Sequence, residues 1–168
     1  MRYTIRHTFD TDAETFSGKI FFDPAYNEAL FLGHLGFSGY KLLALDKLPD
    51  GTITRRVECT PKVEIPAAVK KVIGDNAGYV ETGRFDPKTQ RFSVDVQTKV
   101  AADRIKNHAT MWVEPRGDKK VERVVELDTT VKVFGVGGMI EKLIEQQTRA
   151  SYEAAAAFTN RWIADKGL

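Results

Sequence analysis

From Met139 to about Lys166 the chain has no proline and no glycine, which predicts one helix of about 27 residues, roughly 40 Å long. No other segment constrains the fold as much, because the rest of the 168 residues must cover the apolar face of that rod. The segment before it is equally regular. Val121, Arg123, Val125, Leu127, Thr129, Val131 and Val133 alternate with Glu122, Val124, Glu126, Asp128, Thr130 and Lys132, the period of a strand with two unlike faces. Charges crowd the second set, so that face is expected in water and the first toward the core. Gly135, Gly137 and Gly138 separate strand from helix. Their spacing is not that of a dinucleotide-binding fingerprint and predicts a tight corner.

Along the helix, Ile140, Leu143, Ile144, Gln147, Ala150, Ala154, Phe158 and Trp162 form the expected apolar stripe, with Glu141, Lys142, Glu145, Arg149 and Glu153 opposite. The middle of this stripe is small (Ala150, Ser151, Ala154, Ala155, Ala157), where a continuous core would place Leu or Phe. Small residues facing an apolar strand phase predict a gap. The alternative is that bulky sheet residues such as Phe85 and Phe92 fill it.

The remaining chain reads as a short-element sequence ahead of the helix. Tyr3, Ile5, His7 and Phe9 alternate with Arg2, Thr4, Arg6 and Thr8, a half-buried strand. Asp12 offers an N-cap to a short helix ending near Phe22, and Asp23-Pro24 opens a second that ends among Gly33, Gly36 and Gly39. Strands are expected at 40–48, 52–60, 77–85, 91–100 and 107–114, with one or two helical turns between Pro66 and Gly74. The class is α+β: a curved antiparallel sheet of about six to seven strands around one C-terminal helix, with two short helices after the first strand. A length of 168 residues fits a single domain, 1–168. Strongly twisted sheets curl, and a curled sheet gripping a helix leaves space between the two.

Composition excludes little. Lys plus Arg is 25 and Asp plus Glu is 23, and the basic residues are spread along the chain, so a nucleic-acid partner is not expected. Cys59 is alone, which rules out an internal disulfide, and Glu58 beside it is no activator for a thiol. His7, His34 and His108 have no metal-ligand spacing, so no metal is expected. No other cofactor motif is recognised, and no catalytic set can be named. Met1 to Phe9 is not a signal peptide, and no apolar run approaches the roughly 18 residues of a membrane span. A cytoplasmic location is the expectation.

The opening strand into Asp12-Ala13-Glu14-Thr15-Phe16, the Ile65-Pro66 segment leading through lysines to Gly74, and the closing run from Val131 through Gly135, Gly137 and Gly138 to Ile144 together resemble the helix-grip (START-like) superfamily, in particular an uncharacterised bacterial branch of it. The likeness covers nearly the whole chain. That superfamily includes plant pollen allergens, polyketide cyclases and START lipid-transfer domains, and the resemblance implies a pocket for a hydrophobic ligand.

The candidate lining is Phe85, Phe92, Val94, Met111, Arg123, Val125, Leu127, Ile144, Gln147, Ala154 and Phe158. Glu81 shares a strand phase with Tyr79 and Phe85. Were it buried, Arg123 is the candidate cation, unless Arg123 sits at the sheet edge and reaches water. Three functions compete: binding or carriage of a lipid, sterol or isoprenoid; a cyclase or aromatase-like enzyme; and a co-chaperone-like interaction domain. A mostly apolar cavity with one or two polar groups favours the first, several perturbed titratable groups the second, and a filled core the third. The least regular walls, 29–39 and 61–74, are the expected gates. The second carries Lys62, Lys70 and Lys71 beside Ile65, Val69, Val72 and Ile73. That pattern fits either a transient membrane contact or a solvated amphipathic turn. Oligomeric state has no sequence signature here.

Overall fold

The computed structural model describes all 168 residues. Strand β1 (Arg2–Phe9) leads into helix α1 (Ala13–Thr15), capped by the Asp12 carboxylate on the Thr15 N–H, and α1 widens into a π-helical turn over Phe16–Phe21. Helix α2 (Pro24–Glu28), capped by Asp23 with proline at its start, widens in the same way over Ala29–His34. Strands β2 (Gly39–Lys47) and β3 (Ile53–Thr60), helix α3 (Ala67–Ile73), strands β4 (Tyr79–Asp86), β5 (Arg91–Thr98), β6 (Ile105–Pro115) and β7 (Val121–Val131), and helix α4 (Gly137–Lys166) complete the chain. The π turns add a residue per turn and shift which side chains point inward. In the first, Phe16 and Ile20 are buried.

All seven strands form one antiparallel sheet in the order β1-β7-β6-β5-β4-β3-β2. The first strand closes against the last, and the hairpin succession runs outward from there. Every long helix residue that is buried faces the sheet or the short helices, so α4 lies in the grip of the sheet as the sequence implies. It starts two residues earlier than the Met139 expected, because Gly137 and Gly138 can enter the first turn. No helix is long and apolar enough to cross a membrane.

Two readings need correction. Val124 was placed on the water-facing side of β7, yet it is fully buried. It lies in register between Arg6 on β1 and Trp112 on β6, and long side chains on both sides screen it. The buried stripe of α4 also departs from the predicted one in its second half. It runs through Ile140, Ala155, Ala156, Thr159 and Ile163, while Ala150 and Ala157 are exposed. Following the pattern as 150, 154, 158, 162 advances about 40° per step beyond a full turn, so the predicted line walks off the buried face.

Gly83 on β4 is required by a close approach. A Cβ there would fall 2.6 Å from Cε2 of Phe92 and nearer still to its Cζ. The Phe92 ring lies across the glycine and packs edge-on against Phe21 and Phe22.

Candidate functional site

Between the sheet and α4 lies a cavity of about 310 Å³, and 26 of its 39 lining residues are hydrophobic, which gives it an apolar body. On α4 the lining runs from Ile140 to Ala155, about 22 Å at the rise of an α-helix, so the space is elongated. Its small middle is real but is made by Ser151 and Ala155.

Of the eleven predicted lining residues, Phe92, Val94, Met111, Arg123, Val125, Leu127, Ile144 and Gln147 stand in the wall. Three do not. Phe85 is on the inward phase of β4 but lies beyond the Phe22 and Phe92 rings, which close that end, and it packs on Phe22 at 5.9 Å between centroids. Ala154 sits off the cavity face, where its carbonyl bonds His34 Nε2 at 3.1 Å. Phe158 joins an aromatic cluster with Tyr26, His34 and Trp162. The last two follow from the helix phase error described above.

Glu81 is inside, and its cation is Arg55 rather than Arg123. Arg55 Nη2 stands 3.9 Å from a Glu81 carboxylate oxygen. The Arg55 guanidinium is surrounded by the rings of Phe21, Phe92 and Phe22 at 4.8, 5.1 and 5.7 Å, and its Nη1 donates to the Phe21 carbonyl. This residue was missed, although the alternation Ile53, Arg55, Val57, Cys59 on β3 carries the signal for an inward arginine. The Glu81 side chain is 20% accessible and lines the cavity. Burial therefore raises its carboxyl above the ordinary value, with Arg55 opposing.

Arg123 is buried, which settles it inside the sheet rather than at its edge. Its Nη2 donates to His7 Nδ1 at 3.2 Å, and its Nε has no hydrogen-bond partner. The rings of Phe9 and Tyr152 flank the guanidinium at 5.0 and 4.8 Å. Burial pulls its proton affinity down, with the Tyr152 and Tyr26 hydroxyls opposing. Tyr152, on α4, is itself raised by burial and feels Arg123, Glu81 and Arg55. Tyr79, next to Cys59, is raised well above the usual phenol range by burial. The sequence places Tyr79 on the phase of Glu81 but not in the lining, and it does not single out Tyr152. Tyr152 falls on the true helix face, four residues beyond Thr148.

The linkage at Glu81 has a definite sign. A carboxyl raised by folding stabilises the folded state fully below its unfolded value of about 4.5 and loses that contribution as pH rises through the folded value. Glu81→Gln, which mimics the protonated acid, is expected to gain on the parent protein as pH rises. Urea unfolding at about pH 4 and about pH 8 checks this, because carboxylates lowered by folding, such as Asp12 and Glu122, cancel in the difference. A gap that does not widen with pH would show that folding does not raise the Glu81 carboxyl.

Both expected gate segments contribute wall: Leu30, Phe31, Leu35 and Phe37 from one, Pro61, Val63, Ile65 and Ile73 from the other. Near Pro61, Val63, Asn76 and Ala77 the cavity abuts an open surface groove that shares those four residues. In α3, Val69 is buried, and Lys70 pairs with Asp75 at 2.7 Å.

Comparison with known proteins agrees with this architecture. A family model described as protein of unknown function (DUF2505) matches residues 4–163. No match is found among curated proteins. Among solved structures, a protein from Thermus thermophilus superposes with a TM-score of 0.68 at 11% identity, covering 100% of both chains. A START superfamily protein from Mycobacterium smegmatis gives 0.62 at 17%, covering 96% of this chain and 98% of that one. An aromatase/cyclase from Streptomyces gives 0.64 at 10%, covering 97% and 95%. Identities this low establish the shared helix-grip fold and nothing about activity.

Proposed function

The chain belongs to the DUF2505 family, and we propose that it binds an amphipathic small molecule, of lipid, sterol or isoprenoid class, in the cavity between sheet and α4. The observation that carries this reading is the composition of the wall: a long apolar space with charged groups confined to Arg55–Glu81, Arg123 and His108, the last bonded to Asp95. The helix-grip neighbours named START and aromatase/cyclase proteins support a small-molecule site over a co-chaperone-like domain.

Ligand entry is assigned to the wall at Pro61, Val63, Asn76 and Ala77, where cavity and surface groove meet. A transient membrane contact there would rest on Lys62 and Lys71, since Lys70 is already paired with Asp75. The test of binding is the fluorescence of N-phenyl-1-naphthylamine, a neutral apolar probe. It is expected to bind the parent protein. Ser151→Trp, which places an indole in the cavity wall, is expected to weaken binding by about tenfold or more, or about 1.4 kcal/mol. Equal binding by the two proteins would place the probe elsewhere and sink the cavity reading.

A second reading, a cyclase-like enzyme, is favoured by the cluster of Glu81, Tyr79 and Tyr152, each with a proton affinity raised by burial. A carboxyl whose proton affinity is raised by burial, set beside a phenol, is suited to passing a proton to a carbonyl or enolate. Mass spectrometry of the copurifying compound separates the two readings. One compound unchanged on incubation supports carriage. Conversion that stops in Glu81→Gln supports catalysis.

A further inference from the structure

We propose that Arg123 is a recognition site for a carboxylate carried by the cavity's ligand, so that the ligand is an organic acid with an apolar body. This rests on the ligand-binding reading above and adds the charge and orientation of what binds.

Arg123 carries an unmatched charge. The guanidinium remains protonated under any ordinary condition, yet Arg123 is only 6% exposed and forms no ion pair. The one acid in the cavity wall, Glu81, stands against Arg55, and Glu153 accepts from His7 Nε2 at 2.9 Å. Because Arg123 Nη2 donates to His7 Nδ1, the single proton of that ring sits on Nε2 and is committed to Glu153. His7 therefore fixes the guanidinium from one side without neutralising it. The rings of Phe9 and Tyr152 lie within 5.0 Å of it. The buried Nε–H has no partner, Nη1 makes no hydrogen bond, and the side chain lines the cavity. A rigid, charged donor with a free N–H in an apolar wall fits a carboxylate, which accepts from a guanidinium with high geometric specificity.

The placement also sets direction. Arg123 lies on β7 in register with His7, at the end of the cavity marked by Phe16, Tyr26 and Ala155, whereas Ile65, Ile105 and Ile140 cluster at the other end near α3. The acid would enter first, and the apolar tail would lie toward Pro61 and Ala77. Arg55 and Glu81, already matched to each other, form a second polar station suited to a neutral polar group along the body.

The experiment is displacement of N-phenyl-1-naphthylamine from the full chain by decanoic acid and by 1-decanol, at about pH 8 where a carboxylic acid is ionised. Decanoate is expected to displace the probe at about tenfold lower concentration than decanol. Arg123→Gln is expected to erase most of that preference. Equal displacement by acid and alcohol in the parent protein would overturn the proposal, as would a preference that survives in Arg123→Gln. The comparison of the two probes in the parent protein needs no variant, so a folding defect in Arg123→Gln does not shelter the idea. Failure of the neutral probe to bind at all would instead remove the ligand-binding reading beneath it.

Discussion

Gly83→Ala is expected to destabilise the protein by about 3 kcal/mol, near the top of the usual range for overpacking a core. The added methyl would occupy space now held by the edge of the Phe92 ring, with Cε2 at 2.6 Å from the new carbon. The ring is 3% exposed and has nowhere to retreat except toward the cavity and the Arg55 guanidinium, 5.1 Å away. Strand pairing keeps the backbone from yielding, because Gly83 is in register with both Arg55 on β3 and Val94 on β5. Against a typical total stability of about 5–15 kcal/mol this is a large loss. The mechanism has a specific signature. Phe92→Leu, costly alone, should cost much less in the Gly83→Ala background, since the clash it relieves is already present. Chemical denaturation of the four proteins in that cycle measures the coupling. Additive losses would mean that the glycine matters for backbone freedom and not for the ring.

Arg123→Met is expected to stabilise the protein by about 1–2 kcal/mol. Desolvating an ion costs several kcal/mol even in a relaxed protein interior. Two desolvated aromatic contacts at about 2 kcal/mol each offset part of that. The His7 contact is lost as well, but that imidazole remains bonded to Glu153 and is only partly buried. A straight apolar chain fills the channel between Phe9 and Tyr152. Thermal unfolding of parent and variant checks the sign. A loss of stability would mean that Arg123 is a structural tie between β1 and β7 and would remove the physical ground for the carboxylate site. A gain would mark a residue held at a cost to the fold, the pattern expected of a functional group.

Much of the architecture was legible because it rests on local periodicity. The alternation on β1 and β7, the Asp12 and Asp23 caps, and the unbroken run into Lys166 each specify an element whatever surrounds it. The site was legible only where a residue sits on a regular strand. Val94, Met111, Val125 and Leu127 reached the cavity wall because a period of two has no phase error to accumulate. On α4 a small error per turn grew along the rod, so Ile144 and Gln147 were placed well and Ala154 and Phe158 were not.

Partner choice was beyond the sequence altogether. Glu81 and Arg123 share an inward phase, and nothing in their spacing says that Arg55 on a neighbouring strand reaches Glu81 first. Strand register decides that, since β3 pairs with β4 while β7 lies three strands away. The sequence by itself determined the elements, their order and the class of fold, because each is set by interactions within a few residues. Only the tertiary structure decided which charges are matched and which is left alone in the cavity. Charge matching depends on distances between strands remote in sequence, and the low dielectric inside turns those distances into large energies.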